Sequence, residues 1–321
     1  MASEHLLVTG AAGFIGSHLT EKLLGQGYRV TGIDALDPYY DPALKRANVA
    51  RFEGKPGYRF IEGDITREKD IKRLGSAAYD HIIHLAGRVG VRASLTEPEA
   101  YIQHNIRGTQ RMLEYARHAL KGCFVFASSS SVYGDRTDAP FSETDNTDHP
   151  ETVYAASKKA GELAAYAYHK LYGIPSVCLR LFTVYGPRQR PEMAIAKFAR
   201  LILLEQPLPV LGELTSARDY TYVEDTCDGL IAAMKSQIAY GVYNLGCGQP
   251  VTLERVIKTL GVALGKTPHI DPQPKANGDV FLTYANIAAA RKDLKYEPKI
   301  DFAEGIRRYV ASLEAQAQPA P

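Results

Sequence analysis

The sequence predicts an α/β protein: a Rossmann-type doubly wound parallel sheet with a smaller mixed α/β C-terminal substrate lobe. Three observations predict this fold. Short apolar segments alternate with segments of helical periodicity over residues 5–181. A glycine-rich turn joins the first apolar segment to the first helix, and an acid ends the second apolar segment. The 321 residues, 45% of them hydrophobic, are enough to bury a large core.

The alternating segments follow one another in a regular order. The predicted strands cover residues 5–10, 28–34, 58–62, 80–86, 122–128 and 175–181. The predicted helices cover residues 13–26, 66–74, 97–119 and 153–172. Because strands this apolar need cover on both faces, the sheet is expected to be parallel, with helices on both sides.

After residue 184 the alternation loosens, and turn-rich segments such as YGPRQRPEM, GELTSARDY, CGQP and ANGD interrupt short helices and strands. The predicted division is a first domain over residues 1–184, to which later segments return, and a lobe that lies mainly in residues 185–313. The last residues, 314–321 (EAQAQPAP), are expected to be disordered.

Charge and cysteine content argue against several classes of protein. The net charge is +2, without a basic cluster, so neither nucleic acid nor a membrane surface is expected as a partner. The four cysteines form no C-x-x-C pair, and Cys123 and Cys178 lie in apolar segments. Reduced thiols of a cytoplasmic protein are therefore expected, and no metal site is predicted. The sequence contains neither a run of eighteen apolar residues nor the pattern of a signal peptide.

Gly10, Gly13 and Gly16 form G-A-A-G-F-I-G at the first junction between strand and helix. Glycine lets the backbone approach a pyrophosphate, and the helix N-terminus supplies free N–H groups and a positive dipole end. Because a strand precedes the turn, a helix follows it and an acid ends the next strand, the pattern indicates dinucleotide binding. Asp34 is that acid, and its carboxylate would bind ribose hydroxyls and repel a 2′-phosphate, which favours NAD over NADP. Asp37 is the alternative candidate for this role.

Tyr154 and Lys158 stand four residues apart in Y-A-A-S-K, on one face of a predicted helix. Lys158 can hold the nicotinamide ribose and, with the positive nicotinamide ring, lower the pKa of Tyr154 so that it becomes a better base. Ser129 belongs to a run of four serines, 128–131, at the end of an apolar strand, where a doubly wound sheet lines its crevice. Ser129 is the preferred catalytic serine, and the other three remain open.

These segments resemble the extended short-chain dehydrogenase/reductase family from Leu6 almost to Tyr309. Within that family the chain is similar to the sugar-nucleotide epimerases, most of all to those that act on UDP-glucuronate. The segments that carry the likeness are DALDPYYDPALKRAN, HLAGRVGVRAS, ASSSSVYG, RLFTVYGPRQRPEMAIAKF, ARDYTYVED and GDVFLTYANI. The resemblance implies a first domain that binds NAD, a lobe that binds a UDP-sugar, and a homodimer formed through two helices.

The resemblance also implies roles for individual residues. Seven further positions match residues that line NAD: Phe14, Ile15, Asp64, Ile65, Leu85, Ala86 and Asn105. Arg190 and Arg218 match arginines that clamp the diphosphate of the sugar nucleotide, where a guanidinium presents paired donors to phosphate. Asp279 matches a group that binds the nucleotide ribose, and Thr183 matches a position that faces the sugar. Arg88 departs from many relatives and receives no role, and the uracil contacts are not assigned.

Ser129, Ser130 and Ser131 stand where related dehydratases carry an acidic pair and related decarboxylases keep a glutamate. Without a carboxylate in this stretch, reversible 4-epimerisation is expected. Tyr154 takes the proton of the 4-hydroxyl while carbon 4 gives hydride to a tightly bound NAD. The 4-keto sugar then turns, and hydride returns to its opposite face.

The expected reaction converts UDP-glucuronate to UDP-galacturonate. Ser129, Ser130, Ser131 and Thr183 are expected to surround the sugar carboxylate, with Arg92 as a further candidate. The sequence also allows an epimerase for UDP-glucose and UDP-galactose or for UDP-N-acetylhexosamines, and a dehydrogenase that releases NADH. An NAD-sensing protein without catalysis is a more remote alternative, because such proteins often lose the tyrosine or the lysine.

Overall fold

The computed structural model of the protein describes residues 3–76, 78–274 and 280–317. Within these residues the strands, in chain order, are β1 (His5–Thr9), β2 (Arg29–Asp34), β3 (Tyr58–Glu62), β4 (His81–His84), β5 (Phe124–Ser129), β6 (Ser176–Leu181), β7 (Thr183–Tyr185), β8 (Leu208–Leu211), β9 (Ala217–Tyr222), β10 (Tyr240–Leu245), β11 (Pro250–Thr252) and β12 (Ile270–Gln273).

The helices alternate with these strands over the first half of the chain. In order they are α1 (Phe14–Gly25), α2 (Pro42–Ala50), α3 (Glu68–Lys72), α4 (Val91–Thr96), α5 (Pro98–Tyr101), α6 (Gly108–Ala119), α7 (Val153–Tyr172), α8 (Ala194–Leu203), α9 (Val223–Lys235), α10 (Leu253–Leu264) and α11 (Phe302–Ala317). Two short π-helical segments, Ile102–Arg107 and Ala290–Leu294, and the 3-10 turn Ser130–Tyr133 complete the helical structure of the described residues.

Seven parallel strands form the central sheet in the order β3-β2-β1-β4-β5-β6-β10. Leu7 of β1 packs into the core cluster that contains Leu113 of α6, while Leu6 belongs to the cluster of Leu23 in α1 and Leu230 in α9. Because neighbouring strand residues point to opposite faces, the apolar run of β1 fills both layers. The strand order reverses between β1 and β4, which leaves a crevice at the carboxyl ends of these strands.

The remaining strands form two small sheets. One has the order β11-β9-β7 and contains both a parallel and an antiparallel pair, and the other pairs β12 with β8. Strand β10 and helix α9 follow residue 184, but β10 lies at the edge of the central sheet and α9 packs against α1. The predicted fold class is confirmed, while the division of the chain at residue 184 stays a prediction.

The structure differs from the prediction in three segments. The helix predicted over residues 97–119 is divided into α5, the π-helical segment and α6. Helix α2 was not predicted, although Asp41 accepts a hydrogen bond from the backbone N–H of Ala43 and Pro42 takes the first helical position. The prediction of disorder from residue 314 is wrong for residues 314–317, because alanine, glutamate and glutamine favour helix and α11 continues through Ala317. Residues 318–321 lie outside the described residues.

The described ranges contain no helix that is both long and apolar enough to cross a membrane. All four cysteines are free; Cys123, Cys178 and Cys227 are buried, and Cys247 is partly buried. Burial raises the pKa of Cys123 and of Cys227 to about 12 and that of Cys247 to about 11, so these thiols are protonated at neutral pH.

Candidate active site

A cleft at the carboxyl ends of the central strands brings together most of the predicted site residues. Those that line it are Gly10, Gly13, Phe14, Ile15, Gly16, Asp34, Asp64, Ile65, Leu85, Ala86, Ser129, Ser130, Ser131, Tyr154, Lys158, Thr183 and Arg190. Asn105, Arg92 and Arg218 lie outside the lining. Asp279 lies outside the described residues.

The turn between β1 and α1 requires glycine for steric reasons. Gly10 has φ +71°, and a Cβ there would lie 2.9 Å from the backbone nitrogen of Ala86. A Cβ at Gly16 would overlap the carbonyl oxygen of Gly10. No side chain caps the N-terminus of α1, whose first residue, Phe14, lines the cleft, so the N–H groups of the first turn are available to a phosphate. This arrangement fits the pyrophosphate of NAD.

Asp34 ends β2 at the edge of the cleft and is 9% exposed. Its Oδ2 accepts a hydrogen bond from the N–H of Ala12 at 3.1 Å, and its Oδ1 accepts one from Leu36 at 2.9 Å. Burial raises the pKa of Asp34, while the charge of Lys45 and these two N–H donors act in the opposite direction. A carboxylate can accept about four hydrogen bonds, so capacity is left for ribose hydroxyls.

The two other acids of the cleft are engaged with nearby protein groups. Asp37 accepts a hydrogen bond from the N–H of Tyr39 at 2.9 Å and lies 3.3 Å from Nη2 of Arg88. Asp64 accepts hydrogen bonds from the N–H and the hydroxyl of Thr66, both at 2.8 Å. Asp37 is therefore ion-paired, which favours Asp34 over Asp37 as the acid for the ribose.

Helix α7 carries the predicted base and lysine into the cleft. It begins at Val153, where the Thr152 hydroxyl accepts a hydrogen bond from the N–H of Ala155 at 3.2 Å. The Lys158 ammonium is buried and donates a hydrogen bond to the carbonyl oxygen of Ala127 at 2.8 Å. Burial lowers the pKa of Lys158 to about 8.

Burial also raises the pKa of Tyr154, against a hydrogen bond with Ser129 and the positive charge of Arg190. That Lys158 lowers this pKa together with a bound nicotinamide ring stays a prediction. In the structure the Lys158 ammonium is directed to the Ala127 carbonyl. The pKa of Tyr154, and so its strength as a base, therefore depends on Ser129 and Arg190 as well as on the charge of a bound cofactor.

The serines at the end of β5 have different environments. Ser128 donates a hydrogen bond of 2.6 Å to Glu162, which also forms a buried ion pair of 2.9 Å with Arg180. Ser129 accepts a hydrogen bond from the N–H of Ser131 at 3.1 Å and bonds Tyr154. Because Ser128 is committed to Glu162, the geometry favours Ser129 as the catalytic serine.

Thr183 and Arg190, which were predicted to bind the substrate, also line the cleft. Thr183 begins β7, two residues after the end of β6. Nε of Arg190 lies 2.8 Å from an oxygen of Glu192, and the Arg190 side chain is 20% exposed. The guanidinium therefore lies on the same cleft as Tyr154 while its other nitrogens can meet a diphosphate.

Three predicted residues do not reach the cleft. Asn105 is buried behind it, where its side chain bonds the N–H and the carbonyl of Arg88 at 2.7 and 2.9 Å, so it supports the wall that it was predicted to line. Arg92 is exposed on α4, because neighbouring helix positions point about 100° apart and Val91 occupies the cleft side. Arg218 on β9 donates to the carbonyls of Val280 and Phe281 at 2.5 and 3.1 Å.

Sequence reasoning missed a group of cleft residues in the loops after β2 and β4 and in helix α2. Tyr39, Tyr40, Lys45 and Arg88 all line the cleft. Lys45 donates a hydrogen bond of 2.9 Å to the carbonyl of Asp37 and lies 4.7 Å from the centre of the Tyr40 ring. The signal was available, since DALDPYYDP follows the carboxyl end of a strand, where loops of an α/β sheet meet the ligand.

A family model described as the NAD dependent epimerase/dehydratase family matches residues 6–246. A UDP-glucuronate 4-epimerase of Thermodesulfobacterium geofontis is 39% identical over 95% of both chains. The crystal structure of UDP-glucuronic acid 4-epimerase from Bacillus cereus with UDP-glucuronic acid and NAD is 35% identical, with a TM-score of 0.91 over 97% of this chain and 99% of that one. UDP-glucose 4-epimerase from Thermotoga maritima with UDP-glucose is 29% identical, with a TM-score of 0.90 over 98% and 100% of the chains.

The fold and the cleft define a Rossmann-type enzyme of the short-chain dehydrogenase/reductase type. The chain belongs to the NAD-dependent epimerase/dehydratase family. Its cofactor is NAD, and the glycine turn and Asp34 provide the groups that fit it.

Proposed function

We propose that the protein is a UDP-glucuronate 4-epimerase that forms UDP-galacturonate reversibly through a 4-keto intermediate. The observation that carries this proposal is the distribution of acids in the cleft. The acids that line the described cleft are Asp34 at the end of β2, Asp37 in the loop after β2 and Asp64 in the loop after β3. The residues that line the cleft with the base are instead serines 129–131 and Thr183, so the described lining supplies no acid at the end of β5 for an elimination.

Tyr154 acts as the base that removes the proton of the sugar 4-hydroxyl. Ser129 bonds Tyr154 and lies at the end of β5, so it can hold the same sugar hydroxyl in line. Lys158 lies one helical turn beyond Tyr154 and reaches the carboxyl end of β5, where it can hold the nicotinamide ribose. When bound, NAD accepts a hydride from carbon 4 and gives it back, so no net oxidation follows.

The chemical difficulty of this reaction is loss of carbon dioxide. A ketone at carbon 4 makes the uronate a β-keto acid, which decarboxylates when the breaking bond stands perpendicular to the carbonyl plane. Ser130, Ser131 and Thr183 line the cleft and offer hydroxyl donors to the carboxylate. We infer that they hold the carboxylate away from that alignment without fixing one face of the sugar.

Arg190 is proposed to hold the diphosphate while the sugar turns. Its guanidinium shares the cleft with Tyr154 and is close enough to lower the pKa of that tyrosine. A bidentate contact with phosphate would keep the nucleotide anchored while the sugar exposes its opposite face. The proposal that Arg218 binds the diphosphate and Asp279 the nucleotide ribose rests on resemblance alone.

The test is a side-by-side assay of the wild-type protein on UDP-glucuronate, UDP-glucose and UDP-N-acetylglucosamine, with products identified by NMR. We expect UDP-galacturonate from UDP-glucuronate, almost no UDP-pentose and no net NADH. Faster turnover of UDP-glucose would replace the uronate proposal with a neutral-sugar epimerase. Net NADH would indicate a dehydrogenase, and no turnover of any sugar would favour an NAD-sensing role.

We further propose a homodimer, and the cytoplasm as its location. Exposed apolar side chains gather on packed helices outside the cleft: Leu95 at 50% exposure, Ile102 at 43%, Leu163 at 58% and Tyr166 at 47%. An apolar surface of this kind on helices that pack together is typical of an interface with a second copy. Sedimentation of the wild type as a dimer, and of Leu163→Glu as a monomer, would support this part of the proposal; a monomeric wild type would overturn it.

A further inference from the structure

Arg88 joins two loops of the cofactor cleft. Its Nη2 lies 3.3 Å from a carboxylate oxygen of Asp37 in the loop after β2, and its Nη1 lies 3.5 Å from Glu97 before α5. The guanidinium also lies 5.3 Å from the centre of the Tyr39 ring. The Arg88 and Asp37 side chains are 16% and 26% exposed, so this ion pair is better shielded than those of the open surface, whereas the Glu97 side chain is 56% exposed.

The backbone around Arg88 is held from behind. Asn105 bonds both the N–H and the carbonyl of Arg88, and the Tyr101 hydroxyl lies 2.9 Å from the carbonyl of Gly90. Gly90 has φ +105°, and a Cβ there would lie 2.7 Å from the Tyr39 hydroxyl, so this tyrosine packs directly against the loop. The loop after β4 is therefore anchored, and the Arg88 side chain reaches from it to the loop after β2.

We propose that Arg88 is a positioning residue that holds the loops after β2 and β4 together over bound NAD and slows its release. Asp37, Tyr39 and Arg88 line the same cleft as Asp34 and the glycine turn. Separating the two loops requires the ion pair between Arg88 and Asp37 to break, and this cost falls on the opening of the cleft. Glu97 lies in the same segment as Arg88, and its ion pair helps to hold the guanidinium in position.

Retention of the cofactor matters for the proposed epimerisation, on which this part of the inference rests. Hydride taken from carbon 4 must return to the same sugar before the cofactor dissociates. Loss of the reduced cofactor at that stage would leave a keto sugar and a protein without a hydride to return. A slow-opening cleft protects the cycle against this loss.

A simpler role for Arg88 would be direct attraction between its charge and the cofactor's diphosphate. The two roles predict opposite effects when a carboxylate partner is removed. If Arg88 joins the loops, Asp37→Asn and Glu97→Gln break an ion pair and speed the release of the cofactor. If Arg88 attracts phosphate, the same substitutions free its guanidinium and slow release.

The experiment measures the release of NADH from the purified holoenzyme by the loss of its fluorescence after a chase with excess NAD. We expect Arg88→Gln to release NADH about tenfold faster, the factor for ~1.4 kcal/mol of lost ion pairing. Asp37→Asn and Glu97→Gln should each accelerate release by a smaller factor. Arg88→Lys should lie between wild type and Arg88→Gln, because an ammonium lacks the planar fork that meets two carboxylates.

Arg46→Gln is the matched control, since Arg46 forms an exposed ion pair with Glu62 at 3.2 Å in the same region. Its release rate should equal that of the wild type. Slower release from Asp37→Asn and Glu97→Gln would overturn the proposal in favour of phosphate attraction. Unchanged release from Arg88→Gln and Glu97→Gln would also overturn it, whatever their melting temperatures. The assay contains no sugar, so failure of the proposed epimerase activity leaves its result readable.

Discussion

Asp34 and Asp219 are buried carboxylates that perform similar tasks in two different regions. Asp34 organises the cofactor end of the cleft and accepts hydrogen bonds from the N–H groups of Ala12 and Leu36, which are 22 and 2 residues away. Asp219, on β9 beside Arg218, is fully buried and accepts bonds from the N–H groups of three residues that are 28, 29 and 66 positions away: Cys247, Gly248 and Ala285.

The two regions differ in the sequence separation between the residues whose contacts build them. The cofactor region is built from one strand–turn–helix–strand unit, so its geometry follows from neighbouring residues. The region around Asp219 joins β9, the segment after β10 and the segment near residue 285. Its geometry exists only once distant parts of the chain have folded together.

The largest expected effect tests whether the cofactor region still binds NAD when the catalytic base is removed. Tyr154→Phe should lower kcat by about 1,000-fold, or ~4 kcal/mol, because the general base is lost. The cofactor content after purification should stay at the wild-type level, because the glycine turn and Asp34 are untouched. Initial rates and the NAD released on denaturation measure the two quantities. Near-normal turnover in this variant would remove Tyr154 from the mechanism.

The same comparison explains what the sequence could predict. Residues 153–172 were predicted as a helix and α7 runs from Val153 to Tyr172, because its cap and its periodicity are local. Tyr154 and Lys158 followed from that helix. In contrast, two of the carbonyls that Arg218 bonds are 62 and 63 residues away, and the bridge between Arg88 and Asp37 spans 51 residues. Such contacts leave no periodic signal, so they were not predicted.

The next effect concerns the stability of the Asp219 region. Asp219→Asn removes a buried charge but places an amide N–H₂ or a weaker acceptor against three N–H donors. We expect the free energy of unfolding to fall by ~3 kcal/mol, measured by denaturant unfolding. Glu254→Gln, an exposed change on α10, is the control and should alter it by less than about 0.5 kcal/mol. A loss for Asp219→Asn no larger than that of the control would contradict the role of Asp219 as the organiser of this region.

A smaller effect is expected at Asp34, where the partners are local and a ligand shares the carboxylate. Asp34→Ala should weaken NAD binding about tenfold, since an ionised acceptor for the ribose hydroxyls is lost. Binding of NADP relative to NAD should improve, because a 2′-phosphate no longer meets a negative charge. Titration of the two dinucleotides measures both changes. An unaltered preference, or NADP released from the denatured wild type, would show that Asp34 does not select the cofactor.

The smallest effect is expected at Arg218, where resemblance and geometry differ most. The resemblance assigns Arg218 to the diphosphate, but in the structure it lies outside the cleft lining and donates to the carbonyls of Val280 and Phe281. We expect Arg218→Ala to raise KM for UDP-glucuronate about fivefold, or ~1 kcal/mol, with kcat almost unchanged.

Arg218→Lys separates the two contributions. A lysine keeps a point charge and loses the planar fork, so KM should rise by about twofold if the diphosphate is the partner of Arg218. If Arg218 only braces the segment at Val280, both variants should lower the melting temperature and leave KM at the wild-type value. Steady-state rates and thermal unfolding of the two variants therefore decide whether this arginine belongs to the binding site or only to its support.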